Sequence, residues 1–153
     1  MVEWVKHAET KAAATLASTG VVAGLLYALV SQAKKPGVAF AVVASITAAA
    51  VVVAAVSAGI ALRPRVSVGP APVSLLYYRG ITHRFPRDTH AYARAFAELI
   101  ADRPALLTEI SGQIWGNATV ASRKYRAVNT AIAALMLALV LLAVTAVLRL
   151  FAS

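Results

Sequence analysis

Two stretches without a charged side chain, Ala12 to Ala33 and Gly37 to Leu62, fill much of the first third of this chain. They are 22 and 26 residues long, with only Lys34, Lys35 and Pro36 between them. As a helix the shorter one is roughly 33 Å long, enough to cross the hydrocarbon core of a bilayer. Buried core helices are the alternative, but they need a body large enough to cover them. The chain has 153 residues, 60% of them hydrophobic, and its mean hydropathy is +0.74. That is well above the apolar share of an ordinary soluble domain, so lipid is expected to cover part of the surface. A third apolar stretch runs from about Ala127 to Leu148, before Arg149. The two hydrated lysines, proline and glycine of Lys34–Gly37 make a short turn, so the first two spans read as a helical hairpin. A signal peptide is a poor reading of the N-terminal span, which is too long and is followed at once by another.

Charge sets the expected direction of insertion. Ten of the fifteen Lys and Arg residues lie between Arg63 and Arg126, and two lie in the Lys34–Lys35 turn. Basic residues near span ends favour the cytoplasm. The middle segment and the N-terminus are therefore expected inside, with the C-terminus outside. The net charge of +9 suits anionic lipid or a phosphorylated ligand. No basic stretch carries the interleaved aromatics that would suggest a nucleic-acid polymer. Cysteine is absent, which excludes disulfide and thiolate chemistry.

The middle segment reads as helical. Pro64, Pro70 and Pro72 mark a linker, and "SLLYYRGI" from Ser74 to Ile81 fits a short helix or an interfacial segment. Asp88 is placed to cap a helix from about Thr89 to Asp102, with Tyr92, Ala95, Phe96, Leu99 and Ile100 on one side. Asp102-Arg103-Pro104 ends it, and Pro104 suits the first turn of the next helix. From about Ala105 to Phe151 the pattern is compatible with one helix of 47 residues, roughly 70 Å long. Such a helix would carry an event in water mechanically into a span, or would simply anchor a scaffold. Ile110, Ile114, Ala121, Tyr125 and Val128 form an apolar side on which the preceding helix can pack. Gln113, Asn117 and Lys124 form an adjoining stripe, which could read a base edge and a phosphate or could simply be solvated.

The expected architecture is thus all-α: a membrane protein with three transmembrane helices and a cytoplasmic helical hairpin between spans two and three. The second arm of that hairpin is continuous with span three. Residues 1–62 hold the N-terminal segment and transmembrane hairpin, 63–126 the cytoplasmic helical region, and 127–153 the third span and a short external tail. Span one has a row of small residues through Gly20 and Gly24, and close backbone approach at this GxxxG makes them the expected oligomer contact. Ala41, Ser45, Ala48, Ala55 and Gly59 offer a comparable face on span two. Spans one and two are expected to pack tightly, and span three to have the larger lipid-facing share. His7, His83 and His90 have no metal-ligand spacing, and no Gly-rich phosphate loop or nucleophile–base order occurs. No enzyme, metal or cofactor is expected.

"HAETKAAATLASTG" (His7 to Gly20), "LLYYRGI", "DTHAYARAFAEL" and "GQIWGNATVASRKYRAVNTA" resemble, in the same order, the blocks of the Pycsar transmembrane effectors. The Ile-Trp-x-Asn and Arg-Lys-Tyr-Arg runs of the last block are the most specific. Glu9 stands where Asp is more usual, which keeps the chemistry. The resemblance implies an antiphage effector of the bacterial inner membrane. It implies sensing of cyclic UMP or cyclic CMP made by a partner pyrimidine nucleotide cyclase, and membrane impairment that stops the infected cell. It does not place the ligand site, and no cyclic-nucleotide-binding barrel is visible. Our candidates are Gln113, Asn117, Arg123 and Lys124, with Arg84 and Arg87 for phosphate and Trp115 or Tyr125 for base stacking. Glu9 and Lys11, at the mouth of span one, are expected either to latch onto the Arg123–Arg126 cluster across a protomer interface or to snorkel. A homo-oligomer is the economical assembly. Two other classes fit the bare pattern. A constitutive scaffold would ignore cyclic mononucleotides, and a holin-like lysis protein would be toxic without a messenger.

Overall fold

The computed structural model describes residues 2–33, 37–63 and 74–151. The Lys34–Pro36 turn and the Pro64, Pro70 and Pro72 linker lie outside the described residues. Those residues form five helices and no strand: α1 (Val2–Ser31), α2 (Val38–Leu62), α3 (Tyr78–Arg84), α4 (Thr89–Ala101) and α5 (Arg103–Phe151). Three of them, α1 from His7, α2 and α5, are long and apolar enough to cross a membrane. The chain divides into two compact units, one of residues 1–63 with 121–153 and one of residues 64–120. α5 contributes its first part to the second unit and the rest to the first.

In the first unit the buried positions of each helix recur alternately every third and fourth residue. On α1 they are Ala8, Ala12, Thr15, Thr19, Val22 and Leu26. On α2 they are Phe40, Ala44, Thr47, Val51, Ala54, Ala58 and Ala61, with Ala50 beside them. On α5 they are Lys124, Val128, Ala131, Ala138 and Thr145, with Leu135 and Leu142 half-buried between. This is the 3.5-residue repeat of left-handed bundle packing. The clusters fix the directions. Ala8 and Ala12 meet Ala61 and Val128, Val22 meets Val51 and Ala138, and Leu26 meets Phe40 and Ala44. So α2 runs antiparallel to α1, and α5 parallel to it.

The seam is made of small residues because lipid tails are as apolar as leucine, and close van der Waals approach is what favours one helix over lipid as a neighbour. Its threonines are self-sufficient. The hydroxyls of Thr15, Thr19, Thr47 and Thr145 donate to the carbonyls of Lys11, Thr15, Val43 and Leu141, each four residues back, at 2.7–2.8 Å. No buried side-chain polar atom among the described residues lacks a partner. The row of small residues through Gly20 and Gly24 is not this seam. Ala13, Ala17, Gly20 and Gly24 are exposed, and a Cβ on either glycine would meet nothing within 4 Å. At 100° per residue the row falls on the side of α1 opposite the seam of Ala12, Thr15, Thr19 and Val22. α5 has the smallest buried fraction of the three spanning helices, as expected of the span with most lipid contact.

In the second unit local chemistry defines each boundary. Asp88 Oδ1 accepts from the Ala91 amide at 2.9 Å and caps α4, and Asp102 Oδ1 accepts from the Ala105 amide at 3.1 Å and caps α5. α5 therefore starts two residues earlier than its apolar pattern suggests, with Pro104 in its first turn, where a missing N–H costs nothing. Gly80 is obligatory, because a Cβ there would lie 2.1 Å from the Ser74 carbonyl oxygen. Tyr92 is the hub. Its ring meets Phe85 edge-on and stacks with Phe96, both at 5.8 Å, and its hydroxyl donates to the Leu75 carbonyl. Arg87, between Pro86 and the Asp88 cap, has φ 66°, a left-handed conformation that costs a non-glycine residue about 1–2 kcal/mol.

Candidate functional site

At one end of the bundle the first turns of the α1 seam meet the basic run of α5. Lys124 takes a seam position that elsewhere holds Val, Ala or Thr, and only 8% of it is exposed. An ammonium at such a site needs a compensating charge. Glu9 supplies it: Lys124 Nζ donates to Glu9 Oε1 and forms an ion pair within one chain. Glu9 keeps access to water, its side chain being 44% exposed. Directly below, Tyr125 packs half-buried against the Ala8, Ala12, Ala61 and Val128 cluster. Lys11, Arg123 and Arg126 are exposed around the pair.

The other end of the bundle carries a second clasp, between α5 and Gln32, the residue that follows α1. Arg149 Nη2 donates to Gln32 Oε1 at 3.0 Å. Arg149 also lies in the last turn of α5, where a cation offsets the exposed carbonyls of the helix end. α1 and α5 are thus tied by polar contacts just inside each end of an apolar seam. The first clasp joins residues 115 positions apart and the second 117. Sequence reading placed Glu9 near the Arg123–Arg126 run, but had no signal to single out Lys124. It passed over Gln32 and Arg149, because an amide and an arginine at span ends look like ordinary interface residues.

The remaining candidates lie on the second unit. Gln113 and Asn117 are half-buried on α5, and Asn117 has a polar interaction of its own. Trp115 is 71% exposed. Arg84 sits over the Phe85 ring, 5.6 Å from its centroid, a cation–π arrangement that holds the guanidinium at the end of α3. Arg87 is exposed on its strained turn. Ile110 and Ile114, expected to be covered by the preceding helix, are 39% and 50% exposed. The half-covered side of this part of α5 is instead Leu106, Glu109, Gln113, Asn117 and Val120. No group of three or more potential metal ligands occurs among the described residues.

Comparison with known proteins places these features in a family. The family model described as the Pycsar effector protein domain, PycTM, matches residues 1–151. The Pycsar effector protein PtPycTM of Propioniciclava tarda is 34% identical over 146 residues, covering 94% of this chain and 72% of the relative. No solved structure matches the chain significantly.

Proposed function

Because the chain belongs to the PycTM family of Pycsar effectors, an antiphage defence family, we propose that it binds cyclic UMP or cyclic CMP from a partner cyclase and then impairs the inner membrane. The observation that carries this reading is α5. One helix without a break joins the amide-bearing stretch around Gln113 and Asn117, then the Arg123–Arg126 run, to a span reaching Phe151.

In this proposal the amides of Gln113 and Asn117 read the base, and Arg123 and Lys124 take the cyclic phosphate through charge-assisted bonds. Arg84 and Arg87 serve as further phosphate partners, and Trp115 or Tyr125 stacks on the base. Lys124 is the pivot. A phosphate at its ammonium competes with the Glu9 carboxylate, so the messenger exchanges one ion pair for another and frees the mouth of α1. A ligand shifts such an equilibrium only by its differential affinity for the two states. Here that difference is the clasp itself, with Lys11 and Arg126 flanking it. The proposed topology has the N-terminus and residues 63–126 in the cytoplasm and the C-terminus outside.

Calorimetry on the purified protein tests the binding. Cyclic UMP or cyclic CMP should bind, and Asn117→Ala and Lys124→Ala should each weaken binding about tenfold or more, the loss of one charge-assisted or amide contact. Unchanged affinity in both variants would move the site elsewhere, and no binding at all would favour a constitutive scaffold. In intact cells a cysteine at Thr89 should resist an impermeant thiol reagent, since the native chain has no cysteine.

A further inference from the structure

Among the described residues the largest fully buried side chains are Val128 and three threonines, Thr19, Thr47 and Thr145. Thr15, 7% exposed, lies one turn before Thr19. Close packing accounts for their size but not for their hydroxyls, because valine has nearly the same shape. Hydroxyls that bridged two helices would hold a bundle together in lipid. Each of these four donates to its own helix instead, and such back-bonding slightly weakens a helix. In the closed bundle the four hydroxyls therefore tie no helix to its neighbour.

Their depths point to another use. Thr47 lies between Ala44, which packs with Leu26, and Val51, which packs with Val22. Ala138 is level with Val22 and Arg149 with Gln32, so Thr145 falls between Leu26 and Gln32. Followed along α1, the seam meets Glu9 with Lys124, then Thr15, Thr19, Thr47, Thr145, and finally Gln32 with Arg149. No step between polar groups exceeds about six residues, roughly 10 Å of helix rise. From Glu9 to Gln32 is 23 residues, roughly 35 Å, which covers the hydrocarbon core. A seam of alanine and valine alone would stay dry, because a buried water needs polar partners and apolar constrictions close by dewetting. We propose that the seam between α1, α2 and α5 is the route by which water and small ions enter the bilayer core, with these threonines as its hydrophilic steps.

This deepens the proposed membrane impairment and rests on it. In the closed state the threonine hydroxyls are turned onto carbonyls four residues back, and the alanines between them seal the seam. The Lys124–Glu9 pair closes one mouth, where Glu9 already meets water. When that pair parts and α5 moves away from α1, each hydroxyl oxygen still has a lone pair to accept from an entering water, and its O–H can rotate to donate. Water then advances from one threonine to the next, and ions follow.

Isosteric substitution separates this role from packing. Full-length protein carrying Thr15→Val, Thr19→Val, Thr47→Val and Thr145→Val together should keep its thermal midpoint and its nucleotide affinity. In proteoliposomes at saturating nucleotide its leakage should slow at least about tenfold, as the route loses its polar steps. Serine at the same four positions keeps the hydroxyls and should keep the leakage. Native leakage from the valine protein, or equal slowing in the serine protein, would overturn the proposal. A second arm uses no messenger. Glu9→Lys sets two ammonium groups against each other at the mouth and should make vesicles leak without nucleotide, and the four valines should slow that leakage too. Tight Glu9→Lys vesicles, or leakage that the valines leave unchanged, would also overturn it. Failure of nucleotide binding alone would sink the sensing reading, while the Glu9→Lys arm still decides on the seam.

Discussion

Between Lys124 and Thr145, the core positions of the α5 repeat are mostly small and buried against α1 and α2. Between Leu107 and Ile114 the same positions are large, branched and exposed. In the bilayer, burial has no hydrophobic reward, so alanine and threonine are selected for close approach. Along one unbroken helix the repeat positions change from large and exposed to mostly small and buried. Among the described residues Lys124 is the one charged seam position, and it is paired with Glu9.

Breaking the helix between its two parts should have the largest effect. Ala127→Pro removes the bond to the Arg123 carbonyl and clashes with it, costing about 3 kcal/mol or more locally. Messenger binding should weaken but persist, because Gln113 and Asn117 lie at least ten residues upstream while Arg123 and Lys124 lie within four, and ligand-dependent membrane depolarisation should be lost even at saturating messenger. Depolarisation at the native level would rule out α5 as the transmission path and favour the α1–α2 hairpin, gated through Glu9 and Lys11. Next comes a pair of substitutions, one on each side of the boundary. Ala138 is fully buried, and Ala138→Leu should overpack the bundle by about 1–3 kcal/mol, seen as a lower thermal midpoint in detergent. Ile110→Ala should cost less than about 0.5 kcal/mol, as at an exposed site, and leave the midpoint nearly unchanged. Equal destabilisation by both would erase the distinction between the two halves. Breaking the clasp should cost less than overpacking the bundle. Glu9→Gln removes the counter-charge from Lys124, and with Glu9 partly solvated this should be worth only about 1 kcal/mol. The depolarisation response should shift to roughly three- to tenfold lower messenger concentration. A shift in the opposite direction would show that Glu9 assists the ligand instead of competing with it.

The parts legible in the sequence were those written in local chemistry. Charge-free runs gave the spans, Asp88 gave the cap of α4, and the absence of proline after Pro104 gave the continuity of α5. The packing faces were harder to see. Within the bundle the seam of α1 is carried by Thr15 and Thr19, while Gly20 and Gly24 face outward. A threonine reads as polar until its hydroxyl is seen to donate to its own helix. Ile110 and Ile114 read as a core face for the preceding helix, since periodicity reveals an apolar stripe and never its partner. Of the candidate site, the cationic run around Lys124 was visible, but its pairing with Glu9 depends on a fold that brings together residues 115 positions apart.

Proteoliposomes containing the unmodified protein and a trapped dye provide the most direct measurement. Leakage is followed as cyclic UMP or cyclic CMP is titrated, beside calorimetric occupancy under the same conditions. The account predicts tight vesicles without nucleotide and leakage that rises with occupancy by a cyclic pyrimidine nucleotide. Leakage without nucleotide, or full occupancy with vesicles that stay tight, would contradict it.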